Sequence, residues 1–177
     1  MIFLCEDPRC ESRVRRLLPR LPPLTGEPMR IQTARRLRDR HGGAHAGSFP
    51  RERRIVFDRA LADFPRIFVH EVFHFAWLRK GNPARRSFED LLKAECLAGV
   101  PGELGWSAEW RKLALQPRDI ERRTRRWREY CCESFRDSAA WLYSGIARHP
   151  EFTLAAPARR RRRAWFARAV DGRPLSI

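Results

Sequence analysis

Apolar residues crowd one stretch of the chain, 64–80, which reads FPRIFVHEVFHFAWLRK. Ile67, Phe68, Val69, Val72, Phe73, Phe75, Ala76, Trp77 and Leu78 surround His70, Glu71 and His74. A segment apolar on all sides predicts a helix inside a core. Asp63 suits its N-cap and Pro65 its first turn, while Gly81-Asn82-Pro83 reads as its stop. Upstream the pattern is shorter and more polar. Residues 1–28 mix charge with five prolines and predict a short basic helix at 11–18 within a proline-rich N-terminal extension. A strand at 29–33, a short basic helix at 34–40 and a turn at His41-Gly42-Gly43 come next. Two strands at 44–49 and 54–57 then precede the central helix. His45, beside glycines, reads as a loop or strand residue rather than a ligand.

Downstream the helical period dominates. Ser87-Phe88-Glu89-Asp90 resembles a capping box and opens a helix ending at Gly99, with Phe88, Leu91 and Leu92 on one stripe. Glu95 continues that stripe, either as a metal ligand or as a carboxylate that sits at the stripe's edge or pairs with an arginine. A helix at 106–115 puts Trp106 and Trp110 on one face, read as core. Pro117 opens what reads as the longest helix, 118–144, packed through Ile120, Trp127, Cys131, Phe135 and Leu142. A second line on it carries Tyr130, Glu133, Asp137 and Trp141. The last segment, 155–177, reads as a basic helix that docks Trp165, Phe166 and Val170 while Arg159 to Arg163 face water.

The polar residues of the central helix change this picture most. His70 and His74, four apart, project from one face and can share a tetrahedral zinc ion, with Glu71 as base toward a zinc-bound water. Roughly 0.01 matches to H-E-x-x-H are expected by chance at this composition, so the pattern is informative. Cys131 and Cys132 remain alternative ligands, and a cysteine-rich closed site would be structural rather than catalytic.

Composition adds bounds. A chain of 177 residues with 43% hydrophobic content predicts one folded domain. The net charge of +16 suggests an anionic partner, but 34 Arg against 3 Lys looks as much like a compositional bias. Five cysteines, two adjacent, do not suit a disulfide framework. With no secretory h-region and no apolar run near ~20 residues, the expected setting is the cytoplasm, off the membrane.

His70-Glu-Val-Phe-His74 followed by Glu133-Ser-Phe-Arg-Asp137 resembles the gluzincin type of zincin metallopeptidase. The resemblance covers roughly 44–145, and its specific part is the two motifs, separated by 58 residues (75–132). It implies Zn2+ as cofactor, His70, His74 and Glu133 as ligands, Asp137 orienting a ligating histidine, and Glu71 as general base. An oxyanion-stabilising residue is expected too, with Tyr143, Tyr130 and His149 as candidates. The implied fold is α+β: a small twisted β-sheet packed on an active-site helix, then a mainly helical C-terminal half. Its edge strand would pair with a protein or peptide substrate. The expected function is zinc-dependent hydrolysis of peptide bonds. The second expectation, from charge, is a nucleic-acid-associated binding protein with a structural zinc or none.

Overall fold

The computed structural model describes residues 2–35, 37–39, 42–43, 45–170 and 172–177. In chain order these form β1 (Phe3–Cys5), α1 (Pro8–Leu17), β2 (Leu24–Thr25), β3 (Met29–Ala34), β4 (Arg38–Asp39), β5 (Gly42–Gly43), β6 (Ala46–Phe49) and β7 (Arg54–Asp58). Helices α2 (Phe64–Arg79), α3 (Asn82–Leu97), α4 (Trp106–Leu113), α5 (Pro117–Glu121), α6 (Arg125–Tyr143) and α7 (Ala156–Ala169) follow, then β8 (Leu175–Ser176). The architecture is α+β, as expected.

The main sheet runs β1-β3-β7-β6, parallel across the first three strands and antiparallel at β6. Ile31 sits opposite Ile55 and Thr33 opposite Phe57 in the central pair. Met29, Ile31, Ile55 and Phe57 are fully buried, as alternation on a half-covered sheet requires. Phe57 meets Phe64 and Phe68 of α2 at ring separations of 4.9 and 6.1 Å, which fixes the central helix on the sheet. The other side of α2 packs on α6: Phe135 lies 5.8 Å from Phe73 and 5.0 Å from Trp77. Phe88 of α3 and Phe166 of α7 close on the same ring at 5.5 and 5.2 Å. Removing a side chain so placed costs about 3–5 kcal/mol, so Phe135 is a keystone of the helical half.

Several expectations are corrected. Residues 1–28 are no appendage, because β1 pairs with β3 and α1 buries Cys10, Val14 and Leu17 in the main core. In place of a helix at 34–40, β4 pairs with β5 in an antiparallel ladder; Arg36, Arg40, His41 and Ala44 lie outside the described residues. Helix α3 begins at Asn82 with Pro83 in its first turn. Ser87 is therefore inside it, accepting a bond from Trp165 Nε1 at 3.0 Å. The long helix at 118–144 is two, α5 and α6, broken where Arg123 takes φ 48°. Trp106 and Trp110 are 66% and 44% exposed rather than core. Leu78 is exposed at the end of α2. Arg162, expected in water, is fully buried. No helix among the described residues is long and apolar enough to cross a membrane.

Candidate metal centre

Helices α2 and α6 face each other through His70, His74, Glu133 and Asp137, and the loop before α4 closes over them. Asp137 Oδ1 lies 2.7 Å from His70 Nδ1. An ionised carboxylate can only accept, so Nδ1 carries the proton and Nε2 points away from Asp137. Nε2 then faces Glu133 Oε2 at 3.6 Å. Neighbouring ligand atoms around a tetrahedral zinc stand about 3.4 Å apart, from bond lengths near 2.0–2.1 Å. A proton or a metal ion fits between two acceptors at this separation.

The surroundings hold each group in place. Ser107 Oγ donates to Glu133 Oε2 at 2.9 Å and reaches Asp137 Oδ2 at 3.4 Å. The Ala108 N–H, in the first turn of α4, donates to Asp137 Oδ2 at 3.3 Å. Gly105 makes this approach feasible, since a Cβ there would fall well inside contact distance of the Asp137 carboxylate. Glu133 Oε1 accepts from Arg136 Nη2, with Arg111 Nη2 3.6 Å away. From the sheet, Ser48 Oγ on edge strand β6 donates to Glu71 Oε2.

Charge follows geometry. Burial works against the Glu133 carboxylate, but Arg136, His70 and Arg111, with the Ser107 bond, bring its pKa down to about 2. Burial, then the Arg136 charge, take His74 down to about 4, which leaves it the neutral imidazole a metal requires. For His70, burial and Arg136 act downward; Asp137, by charge and hydrogen bond, and Glu71 outweigh them and the net shift is upward. The donor set therefore suits zinc: an oriented imidazole, a neutral imidazole, and a carboxylate with one oxygen turned to the site. Among the described residues, however, no group of three or more His, Cys, Asp or Glu side chains is arranged to hold a metal ion. The buried Nδ1 of His74 lacks a hydrogen-bond partner.

The other candidates go elsewhere. Glu95 pairs with Arg162 at 2.8 Å, the structural alternative weighed for it. Cys131 lies in the core, and burial pushes the half-buried Cys132 thiol up to about 11. The Tyr130 hydroxyl donates to Glu103 Oε1 at 2.6 Å. His149 sits at the start of α2, its Nε2 3.4 Å from Asp63. Tyr143 stacks on Phe73 at 5.4 Å and meets Phe166 edge-on. His45 is exposed, and its carbonyl accepts from the Asp58 N–H. Ser48, Ser107, Gly105, Arg111 and Arg136 escaped the sequence reading. Arg136 was accessible to it, being three residues from Glu133 on one helix and inside the second motif. Compared with known proteins, the chain matches no family model, no curated protein and no solved structure.

Proposed function

We propose that the chain is a zinc-dependent peptidase whose metal is held by His70, His74 and Glu133. One observation carries the reading: Asp137 fixes the His70 tautomer so that Nε2 and Glu133 Oε2 face each other at ligand spacing. Zinc, when bound, lowers the pKa of water and polarises a carbonyl. Glu71 supplies the base. Ser48 occupies its Oε2, so Oε1 takes the proton from the attacking water and later gives it to the leaving amine. Strand β6 ends the main sheet, the position at which an extended peptide can add as a further strand. The basic-protein alternative has the net charge in its favour, but no polar cluster as convergent as this one.

The test is metal content and turnover of a denatured protein substrate. Wild type is expected to carry about one zinc per chain, and Glu71→Gln to keep the zinc while turnover falls about 10²–10⁴-fold. Full zinc occupancy in the His70→Ala, His74→Ala double variant, or undiminished turnover in Glu71→Gln, would overturn the reading.

A further inference from the structure

The guanidinium of Arg136 has no part in that chemistry, yet it lies among the site's anions. It is buried, and its Nη2 donates to Glu133 Oε1. Its Nε is also buried and has no hydrogen-bond partner. Glu133, Glu71 and Asp137 all act on its charge, and it acts in turn on both His70 and His74. Glu133 is its one ion-pair partner among the described residues.

We propose that Arg136 is a resident counter-ion that competes with a divalent metal for Glu133, so that the metal-free site is closed as an ion pair. The inference rests on the zinc reading. Two cations acting on one carboxylate repel each other, more strongly where water is excluded. A buried carboxylate stripped of its arginine is left uncompensated and holds any other cation more tightly. The bond to Oε1 also draws electron density from Oε2, the oxygen turned toward His70. With Nε unpartnered, no second anion anchors the guanidinium head when a metal claims Glu133. Arg136 thus weakens zinc binding at Glu133, and removing the arginine strengthens it.

The experiment measures zinc affinity of the metal-stripped full chain by competition with a chromophoric chelator, alongside melting without metal. Arg136→Met is expected to bind zinc at least about tenfold tighter, while its metal-free form melts at a lower temperature. Arg136→Lys keeps the charge and stays near wild type. Should the Met variant fail to fold, Arg136→Gln keeps a hydrogen bond to Glu133 without the charge and serves the same comparison. Zinc uptake by Arg136→Met alone, with none in wild type, supports the inference. Equal or weaker affinity in the neutral variants, with wild type binding zinc, overturns it and leaves the zinc reading standing. No zinc in either protein, or a wild-type affinity that Glu133→Ala leaves unchanged, overturns both.

Discussion

Helix α6 carries two buried polar clusters on adjacent faces, and they are finished to different degrees. Toward α7, Arg162 donates through Nε and Nη2 to Glu95, and through Nη1 and Nη2 to Glu103, at 2.7–3.1 Å. Tyr130 and Ser134 of α6 complete Glu103, and Ser138 accepts from Arg162 at 3.3 Å. Glu95, Glu103 and Arg162 are shut away from water, and only Glu95 Oε1 is left over. Toward α2, the second cluster keeps a sliver of exposure and leaves His74 Nδ1 and Arg136 Nε unpartnered. A polar cluster that serves the fold gains from closing every bond. One that serves a ligand has to keep groups in reserve for it.

Breaking the closed cluster should have the largest effect. Arg162→Met leaves buried Glu95 without a cation and Glu103 with Lys112 alone, at 3.6 Å, and is expected to cost about 3–5 kcal/mol in urea unfolding, with zinc affinity unchanged. A cost under about 1 kcal/mol would mean the cluster does not support the fold. The same cluster predicts acid sensitivity. Burial opposes ionisation of Glu103, but Arg162, Lys112 and Tyr130 outweigh it and hold its carboxyl below the usual carboxylate range. A depressed folded-state pKa gives stability that is present above the unfolded value and is lost as pH falls through the folded one. Urea midpoints of the metal-free protein should therefore drop as pH goes below about 4.3, the value of an unfolded glutamate, and Glu103→Gln should flatten that drop.

The open cluster should respond in metal affinity rather than in stability. Asp137→Asn is expected to weaken zinc binding about 10–100-fold by chelator competition, as should Gly105→Ala, whose methyl displaces the same carboxylate. An unchanged affinity in both would detach Asp137 from His70 orientation. Ser48→Ala is the smallest change. Loss of one hydrogen bond to Glu71, worth about 1 kcal/mol, should lower turnover around fivefold and leave zinc content alone.

How much of this could be read beforehand differs between the clusters for a physical reason. His70, His74, Glu133 and Asp137 sit at spacings of four, which on a helix is a statement about a shared face. Arg162 lies in a run of five arginines, where sequence gives every side chain the same character and only packing selects the one turned inward. Spacing also said that Trp106 and Trp110 share a face, but not that the face is the solvent side. Gly81-Asn82-Pro83 reads as a stop, but Pro83 equally suits the first turn of α3, and both helices meet there. The break between α5 and α6 rests on Arg123 in a left-handed conformation, which a non-glycine residue does not announce.

Helix α4 ties the solvent side to the centre. Its Trp106 and Trp110 rings stand 6.3 Å apart in water, and the Arg111 guanidinium lies 4.3 Å from the Trp110 ring. That same Arg111 reaches to 3.6 Å from Glu133. A cation over an indole face alters its emission, so the fluorescence of this pair registers where Arg111 sits. The chain has six tryptophans, so the part of the emission that Trp110→Phe removes is the optical reporter: occupancy at Glu133 that repels Arg111 can be followed in it without a label and without a substrate.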